Sequence, residues 1–302
     1  MKPTRREALG AGVAATLGTM LGTSAIDAAP ERPAVKIASQ LKMSLAAYSF
    51  RQYLPQDGKE GTMTLFDLFE MAAGWRLDGV EATSYYFSSE DDAYLHALKA
   101  KAFRLGLDIS GTAIRNNGCL PEGAARDADI AHVKKWVDHA VELGAPWIRV
   151  FAGNKAPQSE RETDFKRATE TLRPCCDYAG TRGVFLAVEN HGYLTETAED
   201  MLRMVETIKH EWFGVNLDTG NFDAKPYEQM ALLAPKAINV HVKSEVCKAD
   251  GQGREEADFR RIAGILRASG YRGYLALEYE AQEDPMTAVP KCLDKLRDAI
   301  LS

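Results

Sequence analysis

Along most of the chain, short apolar or β-branched runs alternate with amphipathic stretches, and this alternation repeats eight times. Turn residues bound the apolar runs, which predicts strands at 43–50, 79–83, 107–114, 147–152, 184–189, 213–218, 238–243 and 274–278. The stretches between them carry apolar residues at helical spacing. Eight strand-then-helix units joined by right-handed crossovers are the repeat of a (β/α)8 TIM barrel.

An open, doubly wound α/β sheet shows the same alternation and is the competing fold. That fold often carries a Gly-rich phosphate loop after its first strand, whereas the first strand here ends in AAYSF without a GxGxxG pattern. No Pro/Gly/Ser-rich linker interrupts residues 42–302, and a TIM barrel typically needs about 250 residues. We therefore predict a single (β/α)8 barrel catalytic domain over 42–302.

The N-terminal segment has the three parts of a secretory signal. Residues 1–29 combine a basic start, with Lys2, Arg5 and Arg6, an Ala/Gly-rich apolar run, and small residues up to Ala29. The paired arginines resemble a bacterial twin-arginine signal, and the weak hydrophobicity of the run suits that route. The sequence therefore predicts an exported, periplasmic protein.

The same apolar run is barely long enough to span a bilayer, so a membrane anchor formed by an uncleaved signal is the alternative. After cleavage no stable membrane span is expected. Residues 30–41 are predicted to be a linker between the signal and the barrel.

Charge and cysteine content narrow the class of partner. The formal net charge is −6 and the pI is near 5.6, which argues against nucleic acid because its binders concentrate Lys and Arg. The five cysteines form no CxxC pattern and no regular spacing, so neither a disulfide framework nor a zinc-thiolate site is indicated. A small, neutral or weakly charged molecule is the expected partner, and a homo-oligomer stays open.

The last four predicted strands each end in a potential metal ligand: Glu189, Asp218, His241 and Glu278. The C-terminal ends of the strands form the active site of a TIM barrel, and side chains alternate faces along a strand. Any one of these acids could instead cap a helix or form an ion pair. Four ligands on four adjacent strands indicate a metal site, and its oxygen-rich donor set suits Mn²⁺ or Mg²⁺, with Co²⁺ and Zn²⁺ as alternatives.

Other polar residues near strand ends are candidates for contacts to the substrate: His191, Lys243, Arg149, Tyr48, Glu81 and Arg115. His191 and Lys243 follow Glu189 and His241 by two residues, so they would project toward the same mouth of the barrel. For His191 the alternative is a surface histidine. For Arg149 the alternative is an ion pair with one of two acids, Glu189 or Glu81.

The stretches VENHG, NLDTGN, VHVK and ALEYE resemble the strand ends of the xylose-isomerase-like sugar phosphate isomerase/epimerase superfamily, and the similarity covers nearly all of the mature chain. The resemblance implies that Glu189, Asp218, His241 and Glu278 bind one metal and that the two glutamates also transfer protons. Ketose 3-epimerases carry a histidine three residues after the ligand Asp, where this chain has Asn221. Asn221 is therefore a candidate substrate contact whose role does not carry over.

Together these features predict a metal-dependent sugar isomerase or epimerase that removes an α-proton and forms an enediolate. Because the chain is expected to be exported, its substrate is expected to be a free or oxidised sugar. The alternative is a metal-dependent lyase that cleaves 3-keto-glycosides by β-elimination. A periplasmic sugar-binding protein is the less favoured alternative. A zinc AP endonuclease shares the barrel but needs more histidine ligands and a basic face for DNA, and this acidic chain offers neither.

Overall fold

The computed structural model describes residues 40–56, 58–155 and 158–302. The predicted signal at 1–29 and residues 30–39 of the predicted linker lie outside these ranges, so both stay predictions. Among the described residues, no helix combines the length and the apolar character that crossing a bilayer requires.

Within the described ranges, eight parallel strands close into a barrel. In chain order the strands are β1 (Leu41–Ala46), β2 (Gly79–Thr83), β3 (Asp108–Ala113), β4 (Trp147–Val150), β5 (Phe185–Glu189), β6 (Phe213–Asp218), β7 (Ala237–Val242), then β8 (Glu245–Cys247) and β9 (Arg254–Glu256) outside the barrel, and β10 (Gly273–Leu277). Around the barrel the order is β1-β10-β7-β6-β5-β4-β3-β2. The predicted single (β/α)8 barrel is therefore confirmed.

Helices follow the barrel strands and cover the outside of the barrel. They are α1 (Leu65–Gly74), α2 (Asp92–Leu105), α3 (Ala124–Leu143), α4 (Arg161–Arg182), α5 (Ala198–Ile208), α6 (Pro226–Leu233), α7 (Phe259–Ala268) and α8 (Pro285–Leu301). Each helix turns an apolar stripe toward the barrel, such as Leu65, Leu68 and Phe69 of α1, all fully buried. Burial of these stripes is the main force that holds the two layers together.

Two local features differ most from the sequence prediction, while the bounds of the other strands shift by at most two residues. The first strand was predicted over 43–50, but it ends at Ala46, and Ala47–Phe50 forms a 3-10 helix. The reason is a tertiary contact: the Ser49 hydroxyl donates to the Leu277 carbonyl and accepts from the Tyr279 amide. The hairpin of β8 and β9 was not predicted, because its strands have three residues each and β9 is exposed on both faces.

The packing inside the barrel requires that position 111, on β3, carry no side chain. The indole of Trp147, on the neighbouring strand β4, fills the space where a side chain would project from this position of β3. Gly111→Ala is expected to lower the free energy of unfolding by about 1–3 kcal/mol, because the added Cβ would lie 2.2 Å from Trp147 Cε2. Urea or thermal unfolding measures this loss.

Gly264→Ala is the matched control for Gly111→Ala. A Cβ at this exposed position of α7 meets no described atom within 4 Å, and alanine is expected to stabilise the helix by about 0.5–1 kcal/mol. Equal unfolding free energies for Gly111→Ala and the parent protein would contradict the close packing of Trp147.

Candidate metal centre

The four predicted ligands meet at the C-terminal end of the barrel. Glu189 and Asp218 are the last residues of β5 and β6, His241 lies near the end of β7, and Glu278 directly follows β10. One donor atom from each residue lies within 4.8 Å of the donor atoms of the others, and all four side chains are buried. Strand pairing explains this, because Asp218 stands opposite His241 in the β6–β7 register and His241 stands opposite Ala276, close to Glu278.

His241 is held by a carboxylate on the far side of the barrel. Its Nε2 lies 2.7 Å from Glu81 Oε2, while its Nδ1 lies 3.2 Å from Glu278 Oε2 and 4.0 Å from Asp218 Oδ2. Burial lowers the pKa of His241, but the negative charges of Glu278 and Glu81 outweigh it and hold the pKa well above its usual value. Glu81 therefore orients the imidazole, whereas the sequence suggested it as a substrate contact.

Lys243 brings a positive charge into the carboxylate cluster. Its Nζ lies 2.5 Å from Glu278 Oε2, 3.2 Å from Asp218 Oδ2 and 2.5 Å from Glu280 Oε2. Burial lowers the pKa of Lys243, but the three carboxylates outweigh burial and raise it. The stem of the side chain passes over Gly220, where a Cβ would lie 2.5 Å from Lys243 Cγ. Glycine at this position thus permits the lysine to reach the cluster.

Both carboxylate oxygens of Glu189 have partners. Arg149 Nε lies 3.0 Å from Glu189 Oε2, and Asn221 Nδ2 donates to Glu189 Oε1 at 3.2 Å. Of the alternatives that the sequence left for Arg149, the structure contains the ion pair with Glu189. Burial raises the pKa of Glu189, and the positive charges of Arg149 and His241 oppose that rise.

The remaining two carboxylates differ in their protonation. Burial raises the pKa of Asp218 to about 7, against the opposing charge of Lys243. Burial also acts on Glu278, but the charges of His241 and Lys243 overcome it and hold the pKa of Glu278 well below its usual value. Near neutral pH, Glu278 is therefore ionised, whereas the Asp218 carboxyl is only partly ionised.

Backbone contacts fix the position of Asp218. The side chain of Asn190 pairs with its backbone, accepting from the Asp218 amide at 2.8 Å and donating to the carbonyl at 2.9 Å. Asp218 Oδ1 accepts from the Gly220 amide at 2.8 Å. The buried Oδ2 forms an ion pair with the Lys243 ammonium, 3.2 Å away, but no well-aligned hydrogen bond with any described residue.

The donor set fits a divalent cation. Three carboxylates supply the hard oxygen donors that Mg²⁺ and Mn²⁺ prefer, and one imidazole nitrogen completes the set. Asp218 Oδ2 has an ion pair with Lys243 but no well-aligned hydrogen bond, and the His241 Nδ1 lies 4.0 Å from this oxygen and 3.2 Å from Glu278 Oε2. A cation would replace protons on Asp218 and His241, as metal binding generally does.

A cavity of about 420 Å³ opens above the cluster. Most of the predicted substrate contacts border it, together with two of the predicted ligands: Tyr48, Arg149, His191, Asn221, Lys243, Glu189 and Glu278. Arg115, which the sequence also suggested, borders it as well, while Glu81 is absent from its walls as far as they are described. The structure thus brings these residues together, and their roles stay predictions.

Aromatic rings form one side of this cavity. The Phe151 ring packs against His191 at a centroid distance of 4.7 Å, and the Arg149 guanidinium lies 3.9 Å from the centre of the Phe151 ring. Burial and the neighbouring Arg149 charge lower the pKa of His191, so its imidazole is neutral at pH 7. A neutral imidazole can donate a hydrogen bond to one hydroxyl group and accept a hydrogen bond from another.

Three residues of the cavity and one residue beneath it were missed by the sequence interpretation. Tyr85 lies in the 3-10 helix Ser84–Tyr86 and Phe151 directly follows β4, where an aromatic residue carries no distinctive pattern. Glu280 could have been found, because it follows Glu278 by two residues, and the same spacing identified His191 and Lys243. Asn190, which does not border the cavity, could have been recognised only from its pairing with the Asp218 backbone.

A family model described as xylose isomerase-like TIM barrel matches residues 66–299. No curated protein sequence matches the chain.

Solved structures with the same fold include two sugar epimerases and a magnesium complex. D-psicose 3-epimerase from Clostridium cellulolyticum H10, solved with D-tagatose, is 18% identical with a TM-score of 0.69, covering 86% of this chain and 96% of that one. The 3-keto-D-glucoside 4-epimerase from E. coli is 17% identical with a TM-score of 0.67, over 86% and 99%. A xylose isomerase-like TIM barrel protein from Mycobacterium smegmatis, in complex with magnesium, is 17% identical with a TM-score of 0.66, over 86% and 95%.

Proposed function

Because the chain belongs to the xylose isomerase-like TIM barrel family, we propose that it is a divalent-metal-dependent sugar isomerase or epimerase. The observation that carries this proposal is the buried cluster of Glu189, Asp218, His241 and Glu278 at the floor of a polar cavity. Epimerases among the structures of similar fold support a carbohydrate substrate.

The metal would be held by one donor atom from each of these four side chains, with Mn²⁺ or Mg²⁺ as the proposed ion. The magnesium complex of a protein with the same fold supports this choice. When bound, the ion would supply positive charge that stabilises the negative charge developing on the oxygens of the sugar.

Glu189 and Glu278 are the proposed proton-transfer groups. They stand on β5 and directly after β10, with β6 and β7 between them in the barrel, so they approach the cavity from different sides. Glu189, whose pKa is raised by burial, is the better placed to accept a proton near neutral pH. Return of a proton to the opposite face of the same carbon gives epimerisation, and return to the adjacent carbon gives isomerisation.

The residues around this pair position it. Arg149 and Asn221 fix the two oxygens of Glu189, while Lys243 contacts Glu278 and borders the cavity. Lys243, His191 and Tyr48 are therefore proposed to bind hydroxyl or carbonyl oxygens of the sugar.

A metal-dependent lyase acting on 3-keto-glycosides is the second candidate. The 3-keto-D-glucoside 4-epimerase of similar fold favours an oxidised glycoside as the substrate class. A ketone acidifies the neighbouring C–H, and loss of that proton can expel the group attached one carbon further on. The lyase and the isomerase/epimerase therefore share their first step.

Proton exchange tests the proposed function. The Mn²⁺-loaded protein is incubated in D₂O with free ketoses, aldoses and 3-keto-glucosides, and NMR follows deuterium at the carbon next to the carbonyl. Deuterium incorporation with a new sugar indicates an isomerase or epimerase, and loss of the α-proton with release of an alcohol indicates the lyase. Binding of a sugar without exchange anywhere in the panel would indicate a sugar-binding protein and contradict the proposal.

We also propose that the protein is exported to the periplasm by the twin-arginine route, on the evidence of the paired arginines ahead of a weakly apolar run. Changing Arg5→Lys and Arg6→Lys together is expected to leave an uncleaved precursor in the cytoplasm, as fractionation and immunoblotting would measure. Arg32→Lys, in the predicted linker, is the matched control and is expected to be exported. Normal periplasmic accumulation of the double variant would contradict this route.

A further inference from the structure

A second cavity of about 630 Å³ adjoins the one above the carboxylate cluster. Both cavities are bordered by Asn221, Lys243 and Glu280, so they meet there. The walls of the second cavity come from the β8–β9 hairpin, through Glu245 and Arg254, and from the segment that follows β10. We call the first cavity the inner lobe and the second the outer lobe.

The two lobes differ in their access to the proposed acid/base pair. The inner lobe is bordered by both Glu189 and Glu278, whereas neither glutamate is among the described residues that border the outer lobe. A carbon that exchanges its proton with these groups must therefore lie in the inner lobe. Any part of the substrate in the outer lobe is a part that does not react.

The charges around the outer lobe select against an anionic occupant. Its carboxylates are those of Glu245, Glu280 and Glu283, and its cations are Lys243 and Arg254. The Lys243 ammonium contacts three carboxylates, Arg254 pairs with Glu245, and Glu283 pairs with Lys291. A phosphate or a carboxylate would therefore meet cations that carboxylates already neutralise.

The existing contacts of Arg254 point the same way. Its guanidinium donates to the carbonyls of Gly220 and Glu245, at 3.3 and 2.8 Å. Arg254 Nε also lies 3.7 Å from Glu245 Oε2, so each of the three guanidinium nitrogens already has a partner on the protein. Arg254 thus supports the hairpin that forms the wall of the outer lobe.

The remaining groups on the wall suit a hydroxyl-rich molecule. Ser244 and Gln282 each offer both a donor and an acceptor, and the carboxylates accept hydrogen bonds from hydroxyls. Tyr279 borders the lobe too, although it is largely buried. A wall that combines hydrogen-bond donors and acceptors suits an uncharged sugar ring.

We propose that the outer lobe is a binding subsite for a second, uncharged sugar unit, so that the substrate is a disaccharide or larger glycoside rather than a monosaccharide. This inference rests on the proposed function, since it takes the inner lobe as the site of the reacting ring. The bond between the two sugar units would lie where the lobes meet, beside Asn221, Lys243 and Glu280.

Calorimetric titration of the Mn²⁺-loaded protein tests this subsite. The probes are methyl glucosides and methyl galactosides of both anomers, the disaccharides maltose, trehalose, cellobiose and lactose, and α-glucose 1-phosphate. At least one disaccharide is expected to bind tenfold or more tightly than the methyl glycoside of the same anomeric configuration, which corresponds to about 1.4 kcal/mol. Glucose 1-phosphate is expected to gain nothing over methyl α-glucoside.

Gln282→Leu tests whether the gain comes from the outer lobe. Gln282 is exposed on the wall of this lobe, and leucine removes its amide without adding a ring, so the advantage of the disaccharide is expected to fall by up to about tenfold. Gln252→Leu, at the exposed tip of the β8–β9 hairpin, is the matched control and should keep the full advantage. Thermal unfolding verifies that both variants fold.

Three results would overturn the inference: disaccharides that bind no better than methyl glycosides, an advantage that survives Gln282→Leu, or tightest binding by glucose 1-phosphate. Absence of binding by every probe would overturn it as well. The proposed function is decided separately, by proton exchange with the ketoses, aldoses and 3-keto-glucosides.

Discussion

Glu189→Gln and Glu278→Gln are each expected to slow removal of the substrate's α-proton by about 10²- to 10⁴-fold, the usual effect of losing a positioned general base. Glutamine keeps an oxygen at the position of the carboxylate but has no useful basicity. Metal binding should therefore weaken without vanishing, and saturation with Mn²⁺ should not restore the rate. Deuterium exchange at the α-carbon, followed by NMR, measures the effect.

Glu189→Gln is also expected to lower the stability of the fold. Glu189→Gln leaves the buried Arg149 guanidinium without the carboxylate that lies 3.0 Å away, and removing one partner of a buried ion pair costs about 3–5 kcal/mol. Thermal unfolding should therefore show a larger loss for Glu189→Gln than for the surface control Glu142→Gln, which is expected to exchange protons like the parent protein. Parental exchange rates in both metal-saturated active-site variants would show that another residue, with His191 or Lys243 first, carries the proton.

Asp218→Asn and His241→Ala are each expected to weaken Mn²⁺ binding more than about 100-fold while the barrel remains folded. Each change removes one of four donors without removing apolar side chains from the layer between strands and helices. Metal analysis after dialysis, beside circular dichroism, measures both expectations. Undiminished metal content together with full activity in either variant would contradict the assignment of ligands.

Glu81→Gln provides a graded comparison for the ligand variants. Glu81 contacts the other nitrogen of His241, at 2.7 Å, so it acts on the metal only through the orientation and basicity of the imidazole. Loss of such a partner typically costs about 10- to 100-fold in metal affinity. Glu81→Gln should therefore bind Mn²⁺ less tightly than the parent protein and more tightly than His241→Ala.

The barrel and the ligand cluster could be predicted from local patterns. The eightfold alternation of strands and helices allows few folds, and parallel strands of a barrel bring their C-terminal ends to one mouth. Because side chains alternate along a strand, Glu189, Asp218 and His241 could be assigned to the face that lines the mouth. The sequence order alone thus placed four residues spread over 90 positions into one site.

What could not be predicted depends on contacts between residues far apart in the chain. Glu81 and His241 are separated by 160 positions and meet across the barrel interior, so no local pattern connects them. The ending of β1 at Ala46 follows from the bonds of Ser49 to the chain around Leu277. The outer lobe depends on a hairpin of two three-residue strands, which is too short to show a clear period.

Diffraction from crystals of the Mn²⁺-loaded protein, collected at a wavelength where manganese scatters anomalously, tests the central claim most directly. We predict a single strong anomalous peak among the donor atoms of Glu189, Asp218, His241 and Glu278, within about 2.3 Å of each, as oxygen and nitrogen ligands of such ions require. A map without a peak at this cluster, in which the Lys243 ammonium still contacts Asp218 and Glu278, would contradict the proposal that these four side chains hold a metal.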